Sequence, residues 1–208
     1  QSGAPPSYIN TILQSNVGYM WFGTESGLAK FNGYTFTFYT HDPTNRNSLS
    51  SNKILSLCED RTNGFLWIGL QNGALNQFDL KTGYILRFAI PQDETLITNA
   101  FDINSIKLKQ DGNLWIGTGE SGLYEFRIAT KSFKSYPSGT TTASPVEVAG
   151  ISSIILDPTT DILWISTFFG VYRFESSTGH YTQFLIDPDD PESARNYITS
   201  SSQDSTGA

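Results

Sequence analysis

The chain has 208 residues, of which 38% are hydrophobic, 13% aromatic and only 16% charged, with a formal net charge of −7. That balance excludes a phosphate-neutralising nucleic-acid binder, which needs clustered Lys and Arg, and argues against direct contact with an anionic membrane. A single Cys, Cys58, allows no internal disulfide, and no apolar run approaches a membrane span or a secretory signal.

The first residues, 1–6, read as a trimmed start. A short strand over Ile9–Ile12 leads to a turn at Asn16–Gly18 and then to Tyr19-Met20-Trp21-Phe22-Gly23-Thr24. The same order recurs three more times. Ile54–Leu57 precedes Phe65-Leu66-Trp67-Ile68-Gly69-Leu70, Ile103–Ile106 precedes Asn113-Leu114-Trp115-Ile116-Gly117-Thr118, and Ile151–Ile154 precedes Ile162-Leu163-Trp164-Ile165-Ser166-Thr167. All four Trp fall at this position, with spacings of 46, 48 and 49 residues. A repeat of that length built from strand-like residues points to a propeller or a similar array.

Within each unit, period 2 places Trp115 and Gly117 on one sheet face and Leu114 and Ile116 on the other. Both faces are apolar, which fits a strand packed on two sides. The Gly next to Trp allows close approach of the next sheet, and Ser166 is small enough for the same role. A second Gly (Gly27, Gly73, Gly122, Gly170) opens a third strand ending on Phe31, Phe78, Phe126 or Phe174. The fourth strand alternates strictly, as in Thr35-Phe36-Thr37-Phe38, and reads as a half-wet outer edge. Long polar connections follow it, and nothing has sustained helical periodicity. A fifth opening strand, Ile198–Ser201, appears near residue 208.

The predicted fold is therefore all-β: a β-propeller segment of four four-stranded blades plus the first strand of a fifth, cut from a larger propeller. The blades are expected over 7–51, 52–100, 101–148 and 149–195, with a partial blade over 196–208. A closed four-blade ring is the alternative geometry.

The Trp-centred hexapeptides, the Gly-opened third strands, Asn32-Gly33-Tyr34 and the connection from His41-Asp42-Pro43 to Asn47-Ser48-Leu49-Ser50-Ser51-Asn52 resemble the two-component regulator propeller repeat. The resemblance covers residues 7 to 207, with Ser166, Ala74 and Phe168-Phe169 as departures from the pattern. It implies a periplasmic, non-catalytic, ligand-sensing module of a bacterial two-component receptor, with signalling domains elsewhere in the parent chain. It also implies that a glycan fragment is a suitable ligand.

Chemistry-bearing residues are sparse. His41 and His180 read as surface residues, and Cys58 as a structural thiol with no neighbouring base. Asp187, Asp189, Asp190 and Glu192 are interrupted by Pro188 and Pro191 and lack a calcium-loop spacing. No catalytic residue, cofactor or metal is predicted.

In a propeller, the loops joining second to third strands open on the same face as the connections between blades. The predicted ligand-binding rim is Glu25, Ser26, Asn52, Lys53, Gln71, Asn72, Asp102, Glu120, Ser121, Phe168, Phe169, Asn196 and Tyr197. Acids and amides with a few aromatics suit a small polar ligand, a glycan fragment or a protein loop. A protein-interaction scaffold is the alternative function, and a propeller-type glycan hydrolase or lyase the second. A cut array leaves two apolar faces bare. Self-association is therefore expected, as a twofold dimer completing a ring.

Overall fold

The computed structural model describes residues 7–91, 101–137, 150–157, 160–190 and 193–202. The first sheet comprises β1 (Ile9–Gln14), β2 (Met20–Thr24), β3 (Gly27–Phe31) and β4 (Phe36–Tyr39); the second comprises β5 (Ile54–Asp60), β6 (Phe65–Leu70), β7 (Ala74–Asp79) and β8 (Ile85–Ala89). The third comprises β9 (Ile103–Leu108), β10 (Leu114–Thr118), β11 (Leu123–Arg127) and β12 (Ser132–Tyr136), and the fourth β13 (Ser153–Leu156), β14 (Ile162–Thr167), β15 (Gly170–Glu175) and β16 (His180–Phe184). Each sheet is an antiparallel meander with its strands in sequence order. First strands of successive sheets face one another, β1 against β5, β5 against β9, and β9 against β13. These are propeller blades.

The Trp strand is what joins them. Trp21, Trp67 and Trp115 are 1%, 0% and 2% exposed, and each lies edge-on to the Phe that closes the third strand of the following blade. The pairs are Trp21 with Phe78, Trp67 with Phe126 and Trp115 with Phe174, at centroid distances of 5.6, 5.7 and 5.8 Å. A third ring from the fourth strand of the Trp's own blade completes each cluster: Tyr39, Phe88 or Tyr136. Burying one such indole removes enough apolar area to contribute about 4–6 kcal/mol as an upper bound.

The faces divide as period 2 requires. Leu114 and Ile116 pack with Trp67 of the preceding blade, whereas Trp115 packs with Ile151, Ile154 and Phe174 of the following one. Glycine two residues after Trp makes the close approach. A Cβ on Gly69 would fall 2.5 Å from Ile103 Cγ2 and 2.8 Å from the Ile103 carbonyl oxygen; one on Gly117 would fall 2.3 Å from Ile151 Cγ2.

A side-chain bond then fixes each blade to the next. Asn10 Nδ2 donates to the Ile54 carbonyl, Ser56 Oγ to that of Ile103 and Asn104 Nδ2 to that of Ile151, at 2.9, 2.7 and 3.2 Å. Ser152 Oγ donates to the Ile198 carbonyl at 2.6 Å, and the Ile198 N–H donates to Thr167 O just as the Ile151 N–H does to Thr118 O. The predicted fifth opening strand is therefore seated where a first strand sits. Residues 197–202 form no ladder among the described residues.

The two end blades carry exposed apolar side chains. Trp164 is 37% exposed and its ring lies against Phe184 of its own blade. At the other end, Ile9, Ile12 and Phe38 are exposed.

Candidate functional site

The β2–β3 and β6–β7 loops and the connection at 50–53 converge at one side of the boundary between the first two blades. They enclose a polar cleft of about 620 Å³ lined by Glu25, His41, Ser50, Ser51, Asn52, Lys53, Gln71, Asn72 and Ala74. Its position follows from local backbone chemistry. Thr24 Oγ1 accepts from the Ser26 N–H and donates to Gly27 O, making a tight two-residue loop that presents Glu25. Gly27 adopts φ +126°, and a Cβ there would lie 2.5 Å from the Tyr39 carbonyl oxygen, so the loop requires glycine. In the second blade a short 3₁₀ turn, Gln71–Gly73, holds Asn72 at φ +57°.

Five of the predicted rim residues, Glu25, Asn52, Lys53, Gln71 and Asn72, meet in this cleft. Glu25 accepts from Asn10 Nδ2 at 3.0 Å and pairs with Lys53 at 3.8 Å. Both charged groups are over a third exposed, so their pairing contributes little, about 0–1 kcal/mol, and leaves both open to exchange for a ligand group. Gln71 Nε2 donates to Ser51 Oγ at 3.1 Å, and the Asn72 N–H donates to Asp102 Oδ1 at 2.8 Å, which carries the rim on toward the third blade.

His41, Ser50 and Ser51 also line the cleft, although the sequence placed His41 on an ordinary surface loop. The His41 ring Nδ1 lies 2.6 Å from the Leu49 carbonyl. A carbonyl only accepts, so Nδ1 carries a hydrogen in this contact.

The remaining rim residues are spread around the same side. Ser26 and Glu120 are exposed, and Ser121 is half-buried beside Tyr124, whose phenol burial pushes above its ordinary value. The Phe168 ring is half-buried, stacks on Tyr197 at 4.3 Å with 10° between planes, and covers Gly150. Phe169 and Tyr197 present exposed aromatic surface beside it.

Asn196 is different: it is fully buried, accepts from the Ile186 and Asp187 N–H groups, and donates to the Asp187 and Asp190 carbonyls. Its side chain organises the 186–190 loop. Asn52 does the corresponding task for the first connection by accepting from the His41 N–H at 2.7 Å. The Asp187 carboxylate pairs with Arg195 at 3.8 Å, and Glu192 lies outside the described residues. Burial pushes the Cys58 thiol up, which suits a structural role.

Residues 3–26 and 48–72 match the family model described as "Two component regulator propeller". These two segments, at the first two Trp repeats, are what the chain shares with two-component regulator propellers. The chain superposes on the extracellular domain of a putative hybrid two component system from B. thetaiotaomicron with a TM-score of 0.72 and 25% identity. That match covers 88% of this chain and 25% of the other. The extracellular domain of a putative one component system from the same organism matches at 20% identity and a TM-score of 0.49, over 87% of this chain and 28% of that one. A histidine kinase P4 from Formosa agariphila is 40% identical over 48 residues, 23% of this chain and 4% of that protein. The chain thus spans about a quarter of the length of these solved structures and a small part of the curated relative.

Proposed function

We propose that this chain is part of the ligand-sensing propeller of an extracytoplasmic receptor in a two-component signalling system. In this reading it lies in the periplasm, recognises its ligand without transforming it, and relays binding to signalling domains of the same receptor. The observation that carries the reading is the cleft at the first blade boundary. A weakly paired acid and cation, two side-chain amides and serine hydroxyls converge there, on the side where the blade connections open.

The ligand class that suits this lining is a small polar molecule, with a glycan fragment as the first choice. Hydroxyl-rich ligands exchange hydrogen bonds with amides and with an open acid–base pair at little desolvation cost. The exposed rings of Phe169 and Tyr197 offer a stacking surface on the same rim. Glu120, Ser121, Asp102 and Ser26 complete the proposed rim between these two places.

The test is a thermal-shift screen against oligosaccharides, using the protein and its Lys53→Met and Gln71→Ala variants. A ligand that binds only the folded state at 100 times its Kd adds about 2.7 kcal/mol of stability. A melting-temperature rise with one glycan, lost in both variants, supports the proposal. Equal rises in the variants, or none across the panel, count against it.

The exposed Trp164 and Phe184 at one end and Ile9, Ile12 and Phe38 at the other also support self-association of this chain as a twofold pair through its end blades. Sedimentation giving a monomer at high concentration would remove that part of the reading.

A further inference from the structure

We propose that a second cleft, on the opposite side of the first blade boundary, binds a small amphipathic carboxylate with Lys30 as its counter-cation. The cleft measures about 530 Å³ and lies among the turns joining first to second strands, away from the rim. Volumes of a few hundred Å³ accommodate small organic ligands.

Two blade boundaries within the same chain differ in how they hold a cation against a Trp ring. Between the third and fourth blades, the Lys109 ammonium lies 4.9 Å from the centre of the Trp115 ring. There it is neutralised by Glu125, a nearly buried carboxylate, and by Asp111 at 3.1 Å. Glu125 sits directly across the ladder from Trp115. In the first blade, the residue directly across from Trp21 is Lys30. Its ammonium lies 3.8 Å from the centre of the Tyr19 ring and 5.5 Å from that of Trp21.

No carboxylate lies within ion-pair distance of Lys30 among the described residues. The acids lining the cleft are already occupied. Glu59 accepts twice from the Asn16 N–H and once from Arg61, and Asp79 accepts from the Lys81 and Thr82 N–H groups. The Trp21 indole N–H, at the wall of the same cleft, has no acceptor among the described residues. One boundary therefore supplies its own anion, and the other leaves an indole N–H and a cation over aromatic faces without one among the described residues.

The remaining walls decide what kind of anion fits. Val17, Phe65 and Leu80 add apolar side chains to the lining. A carboxylate on an apolar body satisfies both: its oxygens meet the Lys30 ammonium and its body covers the apolar wall. A strongly hydrated inorganic anion uses only the first.

Benzoate is a suitable probe and benzamide its neutral counterpart, each titrated at constant ionic strength into ¹⁵N-labelled protein. The Trp21 indole resonance is assigned by its loss in Trp21→Phe. The expected result is a saturable shift of that resonance with benzoate and none with benzamide. Lys30→Met, which keeps the apolar stem, should weaken benzoate by about tenfold or more, and Lys30→Arg should retain it. Equal responses to benzoate and benzamide, a shift that never saturates, or full binding by Lys30→Met would overturn the proposal. An inorganic phosphate titration that competes with benzoate at equal concentration would overturn the apolar part. The rim cleft contributes no residue to this site, so the glycan screen and this titration succeed or fail independently.

Discussion

Trp67 meets Phe126 edge-on across two blades, with ring centroids 5.7 Å apart and 65° between planes. Because the ring is wholly buried, Trp67→Ala opens a cavity between sheets and should cost about 3–5 kcal/mol. Trp164→Ala, at the same repeat position but 37% exposed, should cost well under half as much. Denaturant titration of the two variants checks the difference. Equal losses would contradict the assignment of the indoles as wedges between blades.

The Gly69 backbone is crossed by Ile103, so Gly69→Ala forces a methyl group into a carbonyl oxygen that cannot step aside. The expected loss is about 1–3 kcal/mol. Gly64→Ala meets open space, and its cost is confined to the positive φ of that turn. Chemical denaturation of both variants, with Gly69→Ala the more damaged, is the check.

Acid should loosen the boundary between the third and fourth blades. Burial raises the Glu125 pKa, but hydrogen bonds from Lys109 and Arg127 outweigh it and hold the carboxyl below its ordinary value. A group depressed in the folded state stabilises above its unfolded pKa, and that contribution disappears as pH falls through the folded value. Stability from Glu125 is therefore present above about pH 4.5 and is lost below it. Glu125→Gln should be less stable than the parent at pH 7, and the gap should narrow at pH 3. A gap that stays constant would remove Glu125 from the account.

Asn196→Ala deletes a buried amide that holds four backbone groups of the 186–190 loop. Leaving buried donors and acceptors unmet costs about 1–3 kcal/mol. Amide hydrogen exchange should accelerate at Ile186 and Asp187 while β10 remains protected.

Much of this architecture was legible because the hydrophobic pattern is repeated. Four copies of Trp with a small residue two positions on fixed strand identity, facing and the side on which the loops open. The structure adds what a one-dimensional pattern cannot carry. Asn10, Ser56, Asn104 and Ser152 all donate to the carbonyl of the following blade's opening Ile, yet they are two residue types at two positions, so no motif marks them.

The rim was only partly legible. Glu25, Lys53, Gln71 and Asn72 converge as the loop geometry demands. Asn196, also placed on the rim, turns inward because the carbonyls and N–H groups of its own connection need it. His41 joins the cleft through a bridge between its own residue and Leu49, a pairing eight residues apart that alternation does not reveal. The Lys30 cleft was invisible because its character lies in a missing carboxylate, seen only when blades are compared.

The seat taken by Ile198 has a mechanical consequence. A side-chain bond to the following opening Ile recurs at each described joint, so cohesion accumulates by nearest neighbours and no single centre holds the whole. Loss of structure should then advance from the outer units inward, with the fourth blade, whose Trp164 is 37% exposed, surrendering its protection before the second.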